Sequence, residues 1–417
     1  TFKTSDYVAM VDEVRDQLPD LDWVAYHDTE DWGALLAKAA AISKEALAAR
    51  EAALSATDPI NIQFTSGTTG LPKGATLTHR NILNNGYFVG RGCGYSDADR
   101  ICIPVPFYHC FGMVMGNLAA VAHGATMVIP APSFHPGATL RAVETERCTS
   151  LYGVPTMFIA QLAEPDFEAF DLSSLRTGIM AGSPCPVEVM RQCMDRMNLS
   201  EVTIAYGMTE TSPVSTQTAL DDPVDKRVGT VGRVHPYVEI KIVDPETGDT
   251  VARGTPGELC TRGYSVMKGY WGEPERTAEV LDADGWMHTG DLAIMDAEGY
   301  VDISGRIKDI VIRGGENISP REVEEFLYGW DRILDVQVIG VPDERYGEEL
   351  MAWIRTSDGG SMTAAEVRAF CDGRIAHFKI PRYVAVIDAF PMTVTGKIQK
   401  YKLRERAIRE LGLDGSS

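Results

Sequence analysis

Between Phe64 and Gly74 the chain runs through Thr65, Ser66, Gly67, Thr68, Thr69, Gly70, Leu71, Pro72 and Lys73. Glycines let the backbone approach an anion, hydroxyls donate hydrogen bonds to it, and a lysine adds positive charge, so this loop is suited to phosphates. It is not a Walker A loop, because Leu71 follows Gly70 and Gly74 follows Lys73. Tyr206, Gly207, Met208, Thr209 and Glu210 follow the apolar run 202–205. A glutamate at a strand end is ordinarily a surface residue. Beside a triphosphate, Glu210 could instead ligate Mg²⁺, which takes one or two carboxylates plus phosphate oxygens. Tyr206 could stack on a purine or simply pack half-buried. Asp291, after Thr289 and Gly290, is placed at a strand boundary, where a carboxylate can accept hydrogen bonds from both ribose hydroxyls. Taken alone, a turn aspartate after glycine is more often structural. Lys397, after Thr395 and Gly396, would by itself be a solvated lysine. Together, a phosphate loop, an acidic metal ligand, a ribose-reading aspartate and a late lysine are what activation of a carboxylate by ATP requires.

These residues need a scaffold. Residues 22–27 read as a short strand and 31–54 as one helix, broken near Thr57, Asp58 and Pro59. The apolar run 60–64 is a strand leading into the Gly/Thr loop. Apolar strands then alternate with helical stretches at 81–90, 138–147 and 186–197, the pattern of a layered α/β sheet. Between 236 and 304, short strands at 238–243, 257–261 and 299–303 are split by Gly, Pro and Asp turns, which predicts a β-rich subdomain. The segment 305–309, containing Arg306 and Lys308, marks a further change, and 310–417 has the size of a small α+β domain.

Composition narrows the function classes. The chain has 417 residues, 39 basic and 59 acidic, with a formal net charge of −20. Lys73, His79 and Arg80 are too few to make a basic patch, so a nucleic-acid partner is not expected. Residues 101–140 contain no Asp, Glu, Lys or Arg, which raises a membrane span. Prolines 104, 106, 130, 132 and 136 break it, leaving a buried helix at 112–122 and a strand at 125–129. The eight cysteines show no C-x-x-C spacing, as expected of reduced thiols in the cytoplasm rather than disulfides or zinc. No H-x-x-x-H or H-E-x-x-H pair supports a catalytic zinc.

From about Asp58 to Arg406 these segments resemble the adenylate-forming superfamily: acyl- and aryl-CoA synthetases, luciferase-type enzymes and peptide-synthetase adenylation domains. Within it the chain is most similar to medium-chain fatty-acyl-CoA synthetases, on the segments 88–106, 152–158, 181–184 and 312–317. The resemblance implies a layered α/β N-terminal domain over 1–304, a hinge over 305–309 and a mobile C-terminal domain over 310–417. Members of the family carry a long further stretch of N-terminal domain before the point at which this sequence begins.

The roles it implies map by position. Residues 65–73 would hold the β- and γ-phosphates of ATP. Gly182, Ser183 and Pro184, with Ala205, Tyr206, Gly207 and Thr209, would line the adenine and the acyl-adenylate. Glu210 would bind Mg²⁺, Asp291 and Arg306 would clasp the ribose, and Lys397 would reach the reacting carboxylate and α-phosphate. Lys308 matches the hinge position. Gly314, Gly315 and Glu316 would line the pantetheine tunnel for CoA. Residues 107–111 match the family's aromatic motif beside the acyl pocket. Amino-acid-activating relatives place an aspartate there, which His109 cannot replace. A hydrophobic acyl group lined by His109, Phe111, Met115, Tyr152 and Met157 is therefore favoured, although each apolar side chain there could equally be ordinary core.

The expectation is an acid–thiol ligase that uses ATP, Mg²⁺ and CoA to convert a fatty acid to acyl-CoA through an acyl-adenylate. The alternatives are an adenylating enzyme that loads a carrier protein, an aromatic-acid CoA ligase, and an inactive nucleotide-binding fragment.

Overall fold

The computed structural model describes residues 5–65, 72–393 and 397–413, so Ser66 to Leu71 of the phosphate loop and Thr395 and Gly396 lie outside the described residues. The chain divides into two compact units, 1–58 and 59–417.

The first unit is helical. Asp6 caps Tyr7–Val14 by accepting from the N–H groups of Val8 and Ala9. The single helix expected over 31–54 is instead two, Glu30–Lys38 and Lys44–Ala52, joined by a 3₁₀ turn at Ala39–Ala41. Ser43 causes the break. Its backbone is extended and its hydroxyl accepts from the N–H of Ala46, which starts a new helix. The strand expected at 22–27 does not form. No described strand lies within 5–58, so that segment has no local ladder to join.

The second unit is built on a seven-stranded sheet. Its order is Thr126–Val128, Arg100–Cys102, Ser150–Gly153, Thr177–Ala181, Glu201–Gly207, Val214–Gln217, Arg233–Val234. The first five strands are parallel and the last two antiparallel. Neighbouring residues of one strand enter different cores: Leu151 and Met180 pack in one cluster, Tyr152 and Ile179 in the other. Side chains alternate along a strand, so the sheet is buried on both faces and its strands read as continuous apolar runs. The helices expected near 81–90, 138–147 and 186–197 are His79–Gly92, Pro136–Glu146 and Val187–Arg196. Thr78 and Asn81 form a reciprocal capping box at the first. The apolar tract 101–140 gives a π-helical turn, Phe111–Leu118, continued as Ala119–His123, then the strand Thr126–Val128. Among the described residues no helix is long and apolar enough to cross a membrane.

Strands Pro59–Thr65, Lys73–Thr78 and Gly269–Tyr270 form a small antiparallel sheet. The β-rich subdomain is a four-stranded sheet in the order Val238–Val243, Gly257–Gly263, Met287–Met295, Val301–Arg306. The third strand was hidden in the sequence, and the fourth begins later than the expected 299. The C-terminal part holds a five-stranded sheet centred on Ile333–Asp343 and Gly347–Thr356. Alternation works there too: Val338 and Ala352 face the core of helices Pro320–Tyr328 and Ala364–Cys371, while Ile339 and Trp353 face helix Lys400–Leu411.

Candidate active site

The parallel strands Ser150–Gly153, Thr177–Ala181 and Glu201–Gly207 end side by side, with Ala181 opposite Ala205. Their carboxyl ends bring Gly182, Ser183 and Pro184 next to Ala205, Tyr206 and Gly207, the edge at which open α/β sheets bind ligands. Position 207 admits only glycine. A Cβ there would lie 1.7 Å from the carbonyl oxygen of Pro213, so any side chain would stop the chain from doubling back. That return, fixed by Met208 N–H donating to the same oxygen at 2.9 Å, forms the 3₁₀ turn Thr209–Thr211 and buries Glu210.

Glu210 accepts a 2.8 Å hydrogen bond from the hydroxyl of Tyr270. The ring of Tyr270 in turn lies 4.9 Å beneath the ammonium of Lys73, so the lysine of the phosphate loop and the acidic residue share one aromatic support. Burial, then the charge of Glu210, raises the Tyr270 pKa, which keeps its proton in place as a donor. Thr209 is buried beside Cys110, Oγ1 to Sγ 3.6 Å.

Asp291 is not at a strand boundary but within Met287–Met295, paired in register with Arg306. Its carboxylate accepts from the hydroxyl of Tyr206 at 2.7 Å and stands 3.1 Å from Nε of Arg306. Tyr206 therefore does more than pack: it joins the seven-stranded sheet to the four-stranded one. Burial, then the Asp291 carboxylate, raises its phenol well above the ordinary value.

Lys397 arrives from the far end of the sequence. Its N–H donates to Oγ1 of Thr393 at 3.1 Å, and its Cε lies 3.9 Å from where a Cβ on Gly182 would stand. Burial lowers its pKa; Cys110, Glu210 and Asp291 act against that, while the positive charge of Arg306 adds to it. The same ammonium, after burial, lowers His109 to about 4, so His109 is neutral near pH 7. One lysine thus stands beside Gly182 at the end of the parallel strands, and its charge is felt at His109.

Phe111, Met115, Tyr152 and Met157 also meet, in one apolar cluster. Phe111 stacks on Tyr152 with centroids 5.7 Å apart, and the Tyr152 hydroxyl donates to the carbonyl of Met115 at 2.8 Å. His109 lies at the edge, its Nδ1 accepting from the N–H of Phe111 at 3.1 Å. Two expected groups are not gathered here. Gly314 and Gly315, both at positive φ, make the two-residue turn of the hairpin Val311–Arg313 and Glu316–Ile318, and they and Glu316 are exposed. Lys308 lies in the 3₁₀ turn Ile307–Asp309, between the strands Val301–Arg306 and Val311–Arg313.

Sequence reasoning missed Tyr270, although Gly269, Tyr270, Trp271 and Gly272 form a glycine-flanked aromatic pair. It also missed a set of Glu258, Cys260 and His288 whose donor atoms lie within 4.8 Å of one another, because two strands bring them together from 28 or more positions apart. The eight cysteines are free and buried.

The family described as AMP-binding enzyme matches residues 1–271, and its C-terminal domain matches 322–397. A Bacillus subtilis (strain 168) protein named "Putative acyl-CoA synthetase YngI" is 55% identical over 393 residues, covering 94% of this chain and 70% of that protein. The mitochondrial medium-chain acyl-CoA ligase ACSF2 of Danio rerio is 49% identical over 404 residues, 95% of this chain and 67% of that one. The chain thus spans about two thirds of the length of such curated relatives. Among solved structures, ATP-bound MatB from Rhodopseudomonas palustris superposes with a TM-score of 0.77 at 34% identity, over 85% of this chain and 69% of that one. The anthranilate CoA ligase AuaEII in complex with anthranoyl-AMP gives 0.83 at 26% identity, over 96% and 76%.

Proposed function

The chain belongs to the AMP-binding enzyme family, and from that premise we propose that it is an AMP-forming acyl-CoA synthetase acting on a fatty acid of medium length. In the first half-reaction a carboxylate oxygen attacks the α-phosphorus of ATP, the bond to pyrophosphate breaks, and an acyl-adenylate forms. In the second, the sulfur of CoA attacks the acyl carbon, AMP leaves with the carboxyl oxygen it had gained, and the thiol proton is lost.

The observation that carries this reading is the position of Lys397, whose Cε lies 3.9 Å from where a Cβ on Gly182 would stand and whose buried ammonium feels the charges of Arg306, Glu210 and Asp291. Negative charge gathers at the α-phosphate as the carboxylate attacks, and an ammonium held there in advance stabilises it without reorganising. Burial lowers the Lys397 pKa, and incoming phosphates would raise it again. Asp291 would hold the ribose, because a carboxylate bonded to Tyr206 and Arg306 keeps lone pairs for two hydroxyls. Lys73 and residues 65–72 would take the β- and γ-phosphates, and Ser183, Pro184, Ala205, Gly207 and Thr209 would border adenine and adenylate. Glu210 offers the hard oxygen that Mg²⁺ takes, and the ion when bound would neutralise phosphate charge. The apolar cluster of Phe111, Met115, Tyr152 and Met157, with His109 neutral at its edge, has no charge with which to hold an amino acid. An alkyl chain suits it.

A thiol needs an open approach to the acyl carbon, and Lys397 stands beside Gly182 at the end of the parallel strands. We therefore assign residues 305–309, around Lys308, as a hinge on which the domain 310–417 turns, withdrawing Lys397 and bringing the exposed Gly314, Gly315 and Glu316 inward. Cysteine usage fits a reducing compartment such as the cytoplasm.

Pyrophosphate release from ATP and Mg²⁺ across acids from acetate to palmitate, plus benzoate, tests this, with and without CoA. The expected result peaks at a medium-chain acid and yields acyl-CoA only when CoA is added. A benzoate peak would move the chain to the aromatic ligases. Adenylate formed without any thioester to free CoA, but transferred to a holo-carrier protein, would overturn CoA as acceptor.

A further inference from the structure

The geometry around Asp291 raises the question of what fixes that carboxylate. The segment 288–291 departs from a regular ladder: Gly290 has φ +70°, and the pairing of Gly257–Gly263 with Met287–Met295 shifts register between Glu258 and Cys260. A bulged strand leaves backbone groups without ladder partners. Here a neighbouring side chain supplies one. The Oε1 of Glu258 accepts the N–H of Gly290 at 2.9 Å, and its Oε2 lies 2.8 Å from Nδ1 of His288. Thr289 completes the hold, donating its hydroxyl to the carbonyl of Leu259 at 2.7 Å and accepting the N–H of Asp291 at 3.2 Å. Glu258 itself is nearly covered, with 12% of its side chain exposed.

Both oxygens of Glu258 are thereby engaged on the turn that precedes Asp291. The Sγ of Cys260, 3.5 Å from the same His288 nitrogen, completes a donor set of the kind zinc takes, but the hydrogen bonds already formed account for the arrangement without an ion. We propose that Glu258 is a positioning residue for nucleotide selection: by clamping Gly290 and His288 it aims the Asp291 carboxylate, and so sets how strongly the site distinguishes a ribose from a sugar lacking its hydroxyls. This rests on the assignment of Asp291 to the ribose. Glu258 does not touch the nucleotide; it acts through one backbone N–H and the turn it holds.

The test compares ATP with 2′,3′-dideoxy-ATP in pyrophosphate release at saturating acid. The wild type, Glu258→Ala, Glu258→Asp, Glu258→Gln, Asp291→Asn and the Glu258→Ala/Asp291→Asn double variant are measured, with melting temperatures recorded for each. In the wild type, kcat/KM should favour ATP by ~100-fold or more, because a site built around hydroxyls rejects an analogue lacking them. Glu258→Ala should narrow that ratio to ~10-fold and raise KM for ATP, leaving KM for the acid unchanged. Glu258→Asp, one methylene shorter, should fall between, and Glu258→Gln, which keeps an acceptor for Gly290, should restore most of the ratio. The double variant should be no less discriminating than Asp291→Asn alone, since coupled residues are not additive. If Glu258→Ala or, should it fail to fold, Glu258→Asp keeps the wild-type ratio, the positioning role is refuted while the ribose assignment stands. A wild type that accepts the dideoxy analogue as well as ATP overturns the ribose assignment and the positioning role with it.

Discussion

The side of the site assigned to the nucleotide and the side assigned to the acyl group are held by different forces. On the first, single polar atoms meet across elements: Tyr206 and Arg306 on Asp291, Tyr270 on Glu210, Glu258 on Gly290. On the second, Phe111, Met115, Tyr152 and Met157 are each no more than 5% exposed and fill space against one another. Hydrogen bonds are directional, so removing one atom misplaces a reacting group while the fold survives. Dispersion and burial are not directional, so removing an apolar group there loosens the core before it alters the chemistry.

The strongest challenge to that contrast is Tyr152→Ala. It should cost about 3–5 kcal/mol of stability, the usual range for truncating a buried aromatic, while KM for ATP stays unchanged. Urea unfolding and ATP kinetics on one preparation check both. A stable variant with poor ATP binding would show that the two sides are not separate.

Protonation gives a second handle. Burial, with Lys397 as a further cause, takes His109 to about 4 from an ordinary value of 6.5, and burial alone takes His235 to about 4. Their charged forms are disfavoured in the fold, so the unfolded chain binds protons first as the pH drops. Their contribution is complete above pH 6.5 and declines as the pH falls towards about 4. Asp335 runs the other way. Burial pushes it up to about 6, so its contribution is complete below its ordinary 3.8 and is lost as the pH rises through about 6. In Gln variants of either histidine the fall between pH 6.5 and about 4 should flatten by up to about 1.4 kcal/mol per pH unit, measured by denaturant unfolding across that range. An unchanged slope for His109→Gln would mean that this ring is as accessible to protons in the fold as outside it.

The smallest effect is expected from Tyr270→Phe. Losing one hydroxyl from Glu210 should slow adenylation by about 10-fold, roughly 1.4 kcal/mol, with stability little changed. A variant that melts far lower yet keeps full activity per folded molecule would make Tyr270 a core residue like Tyr152.

The same contrast explains what could be read from the sequence. The segments proposed to bind the nucleotide stood out because glycine, hydroxyl and charged residues occur together in them, and Val238–Val243 was legible to the residue from its alternation. The strand Met287–Met295 was not, since His288, Thr289, Gly290 and Asp291 carry turn chemistry and become strand only by pairing on both sides. Contacts such as Tyr206 with Asp291 and Tyr270 with Glu210 join residues 85 and 60 positions apart, a distance that no local pattern spans. At 22–27 the failure was the reverse: a segment read as a strand has no strand beside it among the described residues of 5–58. Ser43, a good cap in the middle of a helix-rich composition, divided what propensity alone would join.

Everything assigned to the first half-reaction turns on Lys397 standing beside Gly182. The direct measurement is Lys397→Ala assayed in two parts: adenylate formation from acid and ATP, and thioester formation from supplied acyl-adenylate and CoA. The account predicts that the first falls by about 10²–10³-fold or more, as for loss of a preorganised transition-state contact, while the second stays near wild type. Equal loss in both halves, or none in the first, would contradict it.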